Sequence, residues 1–464
     1  MRRHGPLAAL ALALATFALA SLGPAGALAA KQPPGGLTQL RGAKGCLVDR
    51  TAAAGTCAKV RALKGPGAFM GSRAIAVSPD GRNVYVASAG SDAIAVFSRD
   101  RKTGALTQAK GKGGCVAAKS RNGCGLAVGI DAPNSVAVSP DGRNVYATAR
   151  NSSTLLTFSR DPRDGWIHQR PGTGCIGGIP LPLFCGSANG MVTPDVVAVS
   201  PDGRNVYVGS FFGNSVASFA RDASTGDLTQ LAGTAGCIAT ATSGCAVGVG
   251  LNGVEGLGVS GDGASVYAAG ALSNAIVELS RDPTTGALTQ ATDGSGCIVD
   301  APLAGCTTGR ELAGANAIAI SPDDANVYAT SLLSNSVTAF NRAADGTLAQ
   351  KEATNACLIF LRSAGCSFGR ALDAPEGIAV APDGRNVYVA SFKTGAIDVL
   401  ARNGKGAVRQ LWGPAGCIAR KKVSGCTRGR ALGGVSSVAV SPDGRNVYAT
   451  AHGSNAVDVF RRSR

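Results

Sequence analysis

Histidine is scarce in this 464-residue chain, so its positions are informative. His4 lies near the N-terminus and His168 in a predicted outer strand, which leaves His452 as the histidine that a binding face could use. If the repeated units of the chain form a closed ring, His452 of the last unit lies between Glu376 of the sixth unit and Arg73 of the first. A histidine, a carboxylate and an arginine together can transfer protons and stabilise negative charge. We predict these three as the candidate catalytic group, against the alternative of an inert surface histidine.

The chain contains seven copies of a repeated unit, and each copy has a turn that usually begins with Ser-Pro-Asp. A polar residue recurs five positions before the first residue of this turn. These residues are Arg73, Asn134, Asp195, Glu255, Asn316, Glu376 and Ser436. Five of the seven are Asn, Asp or Glu, whose oxygen atoms are the ligands that calcium prefers. The pattern predicts a ring of polar side chains at a channel mouth, which either contacts water or binds a hard cation. No cofactor is required, and a divalent cation such as calcium is the ion that this ring would bind.

Arginine recurs at the fourth residue after the second cysteine of four units. These residues are Arg61, Arg310, Arg370 and Arg430, and the other three units have Val128, Asn189 and Val249 there. Arginine binds carboxylate and phosphate groups well, and it also caps loop carbonyls. The ligand-binding alternative predicts one basic half of a face opposite a more apolar half near Phe211 and Phe212.

The fourteen cysteines form seven pairs. The pairs are Cys46 with Cys57, Cys115 with Cys124, Cys175 with Cys185, Cys237 with Cys245, Cys297 with Cys306, Cys357 with Cys366, and Cys417 with Cys426. An even number in an exported chain indicates disulfides, each worth roughly 2–4 kcal/mol if unstrained. Zinc is the alternative, but the spacing is long and histidine is nearly absent. We predict seven disulfides in the loops that connect successive units.

The seven tyrosines occupy one position of the repeated unit. They are Tyr85, Tyr146, Tyr207, Tyr267, Tyr328, Tyr388 and Tyr448, each in a variant of Ser-Pro-Asp-Gly-Arg-Asn-Val-Tyr. Each unit has four short runs rich in β-branched and aliphatic residues, separated by turns. The repeat predicts an all-β, seven-bladed propeller with four antiparallel strands per blade, formed by residues 30–464 as a single domain. Leu37–Leu40 repeats the phrase of the fourth strand and should close the last blade.

The N-terminus predicts export. Arg2, Arg3 and His4 precede an apolar run, and Ala27-Leu28-Ala29 is typical of a cleavage site; we assign residues 1–29 as a signal peptide. No other segment of the sequence predicts a membrane span. The net charge of +16 favours an anionic small molecule or a cell-envelope polymer as partner. Nucleic acid is disfavoured because no basic helix or stacking platform is evident. We expect a secreted or cell-surface monomer.

The phrases SPDGRNVYVAS, SPDGRNVYATA and APDGRNVYVAS, followed by NAIAVFSRD or GAIDVLAR, resemble those of lactonase-type seven-bladed propellers and of YVTN repeat propellers. The resemblance covers residues 36–464. It implies 6-phosphogluconolactonase-like hydrolysis, with His, Arg and Glu around the channel mouth. The ring position that is commonly histidine in those enzymes holds no histidine here. Two functions follow: a binding or scaffold propeller for an anionic ligand at the channel mouth, and a hydrolase of sugar lactones.

Overall fold

The computed structural model describes Met1 and residues 32–53, 55–68, 71, 73–119, 123–178, 185–361 and 365–464. Apart from Met1, the predicted signal peptide lies outside these residues. Residues 32–464 form one compact unit, a seven-bladed β-propeller. This architecture confirms the predicted fold class and blade number.

The repeated Ser-Pro-Asp-Gly phrase forms the turn between the first two strands of each blade. We number the blades in chain order, so that blade two contains Tyr146. In blade two, the Gly142 N–H donates to the Ser139 carbonyl at 2.8 Å, and Gly142 has a φ of +70°. The Ser139 hydroxyl donates to Asp141 at 2.6 Å and accepts the Asn144 N–H at 3.0 Å. Serine and aspartate therefore satisfy the polar groups of the turn, as is typical of such residues.

The first three strands of each blade are antiparallel, and the first strands line a central channel. The first strands are Ile75–Val77, Pro133–Val138, Pro194–Val199, Val254–Val259, Ala315–Ile320, Pro375–Val380 and Val435–Val440. The second strands are Asn83–Ser88, Asn144–Ala149, Asn205–Ser210, Ser265–Gly270, Asn326–Ser331, Asn386–Ser391 and Asn446–Ala451. The third strands are Ala93–Arg99, Thr154–Arg160, Ser215–Arg221, Ala275–Arg281, Ser336–Arg342, Ala396–Arg402 and Ala456–Arg462.

The prediction of four strands per blade was too low, because each sheet has six. The fourth strand is divided in two, and both halves pair with the third strand. The halves are Leu37–Gln39 with Cys46–Asp49, Leu106–Gln108 with Cys115–Ala117, Ile167–Gln169 with Cys175–Gly177, Leu228–Gln230 with Cys237–Ala239, Leu288–Thr289 with Cys297–Val299, Leu348–Gln350 with Cys357–Ile359, and Val408–Gln410 with Cys417–Ala419. Short turns, several of them 3-10 helices, separate the halves. The described 3-10 helices are Gly42–Lys44, Ala89–Ser91, Gly111–Gly114, Gly233–Gly236, Ala353–Asn355, Gly413–Gly416 and His452–Ser454.

The sixth strand of each blade is short and parallel to the second half of the fourth. These outermost strands are Ala58–Val60, Gly125–Leu126, Gly186–Ser187, Ala246–Val247, Thr307–Thr308, Ser367–Phe368 and Thr427–Arg428. Strands of two or three residues are too short to persist alone, so each needs a further link to its blade.

All seven predicted disulfides are formed, and they supply this link. They join Cys46 to Cys57, Cys115 to Cys124, Cys175 to Cys185, Cys237 to Cys245, Cys297 to Cys306, Cys357 to Cys366, and Cys417 to Cys426. The first cysteine of each pair begins the second half of the fourth strand, and the second cysteine immediately precedes the outermost strand. The pairing was therefore predicted correctly, but its place was wrong. The disulfides lie at the outer edges of the blades and not in the loops between blades, because the residues directly after each second cysteine form a strand of the same blade.

The N-terminal strand closes the ring as predicted, although it ends at Gln39. Leu37–Gln39 pairs antiparallel with Ala456–Arg462 of blade seven. Cys46–Asp49 pairs with the same strand, and Ala58–Val60 pairs parallel with Cys46–Asp49. The N-terminal segment therefore supplies three strands to blade seven, and the Cys46–Cys57 disulfide belongs to that blade.

The tyrosines belong to a repeated clip between blades. The Tyr146 hydroxyl donates to the Gly226 carbonyl at 2.8 Å and accepts from Arg221 Nε at 2.8 Å. The same guanidinium pairs with Asp141 at 2.7 Å, and burial raises the pKa of Tyr146 to about 12. The arginines of the seven clips are Arg99, Arg160, Arg221, Arg281, Arg342, Arg402 and Arg462. The tyrosines are therefore scaffold residues that join neighbouring blades.

Candidate functional site

The ring residues lie at β-bulges of the innermost strands. In blade two, Pro133 pairs with Ala149 and Ser135 with Thr148, so Asn134 is left without a partner residue. The same irregularity occurs in blades three to seven. A bulge redirects a side chain out of the regular alternation of a strand. The side chains of these six ring residues are at most 4 % exposed, so they are buried, and their contact with water or with a cation stays a prediction.

Three carboxyl groups of this ring influence one another; we call Asp195, Glu255 and Glu376 the acid cluster. Burial raises the pKa of Asp195 to about 7, opposed by Arg150, whose Nη1 lies 3.3 Å from Oδ1 of Asp195. Burial and the charge of Asp195 raise the pKa of Glu255 to about 8. Burial and the charge of Glu255 raise the pKa of Glu376 to about 8. The acid cluster therefore retains much of its proton content near neutral pH.

Part of the connection that leads into blade one lies at this ring; we call its described residues 62–68 and 71 the channel plug. The Leu63 N–H donates to Asp49 at 3.1 Å, and the Gly65 N–H donates to Asn455 at 2.8 Å. Gly71 reaches the far side of the channel, where a Cβ atom on it would lie 2.6 Å from the Cβ of Glu255. Described residues of the plug therefore occupy part of the mouth at which we predicted a ligand.

The plug is visible in the sequence as an insertion. In blades two to seven, the ring residue lies six positions beyond the fourth residue after the second cysteine, as Asn134 lies beyond Val128. In blade one, Arg73 lies twelve positions beyond Arg61. A longer connection that begins at the same face has room to enter the channel. This difference in length is the signal from which a plug could have been predicted.

The structure places the three predicted catalytic residues in different environments. Glu376 belongs to the acid cluster. His452 stacks on Phe392 with ring centroids 6.4 Å apart, next to Gly65 of the plug. Arg73 lines a lower part of the channel, in a cavity of about 290 Å³ among Val138 and other first-strand residues. Burial lowers the pKa of Arg73. Although Arg73 is accessible along the channel, protein surrounds it.

The four predicted ligand-binding arginines adopt the loop-capping arrangement. Arg61 donates to the Ala109 carbonyl at 2.7 Å and Arg370 to the Leu411 carbonyl at 2.7 Å. Arg310 donates to the Ala353 carbonyl at 3.1 Å and Arg430 to the Leu40 carbonyl at 2.6 Å. The backbone N–H of each of these arginines also donates to a glutamine of the next blade's fourth strand. Capping accounts for this geometry, and a role in ligand binding stays a prediction.

We call the face that carries the loops between the second and third strands and the tips of the disulfide loops the top face. Charge divides this face at a position other than that of the four arginines. The fourth residue after the first cysteine is an exposed cation in blades one, six and seven: Lys119, Lys421 and Arg50. In blades three, four and five it is Ala241, Ala301 and Leu361. With Lys64, Arg420 and Lys422, which are also exposed, these cations form what we call the basic sector.

The basic sector contains a cleft between blades six and seven with a volume of about 660 Å³. Val48, Ala52 and Ala431 supply apolar lining. Arg420 lies at the cleft, and its exposed guanidinium makes no hydrogen bond or ion pair with the described residues. Thr56, Ser454 and Asn455 supply polar groups. This size and mixture are typical of small-molecule sites.

Neither a metal site nor a membrane-spanning helix is seen in the described part of the chain. No three His, Cys, Asp or Glu side chains there are grouped to bind a metal ion. Asn134, Asp195 and Glu255 each have one buried oxygen without a hydrogen-bond partner, and calcium at the ring stays a prediction. No described helix is long and apolar enough to cross a membrane.

Comparisons with known proteins agree with the fold. Residues 55–173 match the family described as lactonase, seven-bladed β-propeller. A candidate 6-phosphogluconolactonase from Bacteroides uniformis is 19 % identical, with a TM-score of 0.52, over 80 % of this chain and 88 % of that one. A second, from Bacteroides fragilis, is 17 % identical, with a TM-score of 0.51, over 76 % and 84 %. A search of curated proteins found no match.

The same fold occurs in a protein of another description. Hydrazine synthase from Kuenenia stuttgartiensis is 18 % identical, with a TM-score of 0.51, over 85 % of this chain and 96 % of that chain. Likeness at this level shows the fold and leaves the activity open. The resemblance to the lactonase-type seven-bladed β-propellers is thus confirmed, in fold for the propeller and in sequence for residues 55–173.

Proposed function

We propose that this protein is a binding propeller whose basic sector recognises an anionic small molecule in the cleft between blades six and seven. The observation that carries the proposal is the exposed guanidinium of Arg420, which makes no hydrogen bond or ion pair with the described residues, beside a cleft of about 660 Å³. A guanidinium binds carboxylate and phosphate groups through paired hydrogen bonds. The apolar lining would contact the carbon skeleton of the ligand.

The central channel is a poorer place for an anion. Described residues of the plug lie at the ring, and the acid cluster would repel negative charge once ionised. The cations of the basic sector instead lie around the cleft, where they raise the local concentration of anions. We therefore move the proposed ligand site from the channel mouth, where we first predicted it, to the basic sector.

Arg420→Gln should weaken anion binding about tenfold or more, because a charge-assisted hydrogen bond contributes roughly 1.5–3 kcal/mol. The measurement is calorimetric titration with 6-phosphogluconate and glucuronate, with glucose as the uncharged comparison. Arg101→Gln is the matched control, since Arg101 is an exposed arginine in the turn after the third strand of blade one. Equal affinities of wild type and Arg420→Gln, or equal binding of glucose, would contradict the proposal.

Lactone hydrolysis is the second function that we propose to test. The family match over residues 55–173 and the raised pKa values of Glu255 and Glu376 support it. A carboxylic acid that stays protonated near pH 7 can donate a hydrogen bond to the carbonyl oxygen of a lactone. A lactone would have to enter the channel beside the plug to reach either group.

Glu376→Gln should reduce the hydrolysis of sugar lactones by at least about a hundredfold if Glu376 is a general acid or base. Hydrolysis is followed by pH-stat titration over a panel of lactones, with calcium and with a chelator, so that the predicted cation is tested as well. Glu352→Gln, at an exposed position, is the control. Hydrolysis that is absent from the wild type would contradict this function, and hydrolysis that is unchanged in Glu376→Gln would exclude Glu376 as its general acid or base.

A further inference from the structure

Apolar side chains protrude from the top face in three consecutive blades. Phe212, Leu272 and Leu333 occupy one position of the loop between the second and third strands, and their exposures are 64, 62 and 69 %. The same position holds Gly90, Asn151, Lys393 and Gly453 in the other four blades. Leu303 and Leu361 of the disulfide loops in blades four and five are exposed as well, at 41 and 66 %. We call these five residues the apolar sector.

The loops that present these side chains are fixed from below. Each has an asparagine with positive φ two residues after the protruding side chain, with φ values of +46°, +51° and +52° for Asn214, Asn274 and Asn335. These side chains accept N–H groups of the next blade at 2.8, 2.8 and 2.7 Å. A rigid base keeps the apolar tips exposed, since they cannot fold back into the protein.

The apolar sector and the basic sector lie on one face of the propeller. The apolar sector belongs to blades three, four and five, and the basic sector belongs to blades six, seven and one. A small molecule in one cleft cannot contact both sectors. A flat partner that presents negative charge at its surface and hydrocarbon just below can contact both together.

We propose that the top face docks on an anionic lipid bilayer. Phe212, Leu272 and Leu333 insert among the lipid headgroups, as apolar anchors of peripheral proteins do. The cations of the basic sector, such as Lys421, Lys422 and Lys119, attract the anionic headgroups, each acting within a Debye length of the surface. This interaction goes beyond the proposed anion cleft and does not require it.

Vesicle co-sedimentation tests the proposal. We expect the protein to bind vesicles in which about a third of the lipid is phosphatidylserine at least tenfold more tightly than vesicles of phosphatidylcholine alone, because several cations contribute. The triple variant Phe212→Ser, Leu272→Ser, Leu333→Ser should reduce binding to the anionic vesicles by about tenfold or more. Its positions are exposed, so its melting temperature should stay that of the wild type.

Two controls separate the apolar sector from general surface hydrophobicity and from the anion cleft. Trp412→Ser removes a side chain that is 92 % exposed but lies outside the apolar sector, and it should leave vesicle binding unchanged. The triple variant should still bind 6-phosphogluconate in calorimetry, which distinguishes failure of the bilayer proposal from failure of the cleft proposal. Equal binding to both kinds of vesicle, or full binding by the triple variant, would overturn the proposal. A third outcome would also overturn the proposal. If the wild type formed dimers in sedimentation experiments, bound no vesicles, and lost its dimers in the triple variant, a second copy of the chain would be the occupant of the apolar sector.

Discussion

A chain without residues 31–41 should lose roughly 5 kcal/mol or more of its free energy of unfolding, because several buried polar groups lose their partners together. Leu37, which is 2 % exposed, would leave the core of blade seven. The Tyr388 hydroxyl would lose the Gly35 carbonyl, which it contacts at 2.9 Å. Buried Asp458 would lose the Gln39 amide, which donates to it at 2.9 Å. The third strand of blade seven would also have an open edge beside Arg461 and Arg462.

Two single substitutions in this strand give matched measurements. Gln39→Ala should cost about 2–4 kcal/mol, because the Gln39 amide bonds to Gly45, Arg430 and Asp458, and its loss leaves buried groups unpaired. Thr38→Ala, at an exposed position of the same strand, should cost less than about 1 kcal/mol. Guanidinium unfolding with the disulfides intact measures all three chains. A deletion that unfolds at the same denaturant concentration as the wild type would show that Leu37–Gln39 does not close the ring.

The parts of the fold that repeat could be predicted from the sequence. Tyrosine and the Ser-Pro-Asp-Gly turn recur because each blade needs the same turn and the same contact with its neighbour. The phrase Leu-Thr-Gln at residues 37–39 identified the closing strand because glutamine performs the same bonding in other blades, as Gln230 does with Asn189 at 2.8 Å. Disulfide pairing followed from even number and close spacing.

The divided fourth strand and the outermost strand were missed for a physical reason. Two- and three-residue strands are too short to show a period of two, and the outermost strand depends on a disulfide that holds it in place. Runs of β-branched residues therefore predict only four strands per blade.

The functional site was harder to predict than the fold, because it depends on the direction in which each side chain extends and on which side chains other segments bury. Arg61 and Arg370 are the right residue type for an anion, yet their guanidinium groups reach the carbonyls of the next blade. The recurring polar position was evident from the sequence, but the burial of six of its side chains was not. Only the longer connection before Arg73 indicates that Gly71 approaches Glu255. Cations that remain for a ligand lie at the disulfide loops, where Lys119 and Lys421 occupy the fourth position after the first cysteine of their pairs.

The acid cluster should make this protein less stable as the pH rises from about 4 to about 8. A carboxyl whose pKa is raised in the folded state keeps its proton over a range in which the unfolded chain has lost it, so rising pH favours unfolding. For Glu255 and Glu376 that range extends from the ordinary value of 4.5 to about 8. For Asp195 it extends from 3.8 to about 7.

The aspartates of the clips act in the opposite direction. Although burial opposes the change, hydrogen bonds from Ser139, the Arg143 N–H and Arg221 lower the pKa of Asp141 below 3.8. A carboxyl with a lowered pKa stabilises the fold above its unfolded value and loses that contribution as the pH falls. With one clip per blade boundary, stability should also fall steeply below about pH 4. We expect the free energy of unfolding to be greatest near pH 5.

Glu255→Gln should flatten the alkaline side of this profile. The substitution removes one titrating group, and it also removes a charge that adds to the effect of burial in raising the pKa of Glu376. Each pKa unit corresponds to about 1.4 kcal/mol, so the loss of stability between pH 5 and pH 8 should shrink by on the order of 3 kcal/mol. Urea unfolding at pH 5, 6, 7 and 8 measures the profile, and Glu352→Gln, at an exposed position, should reproduce the wild-type curve. Parallel profiles for Glu255→Gln and the wild type would mean that Glu255 is already ionised beneath the plug, and the acid cluster would then need a cation or water for its charge.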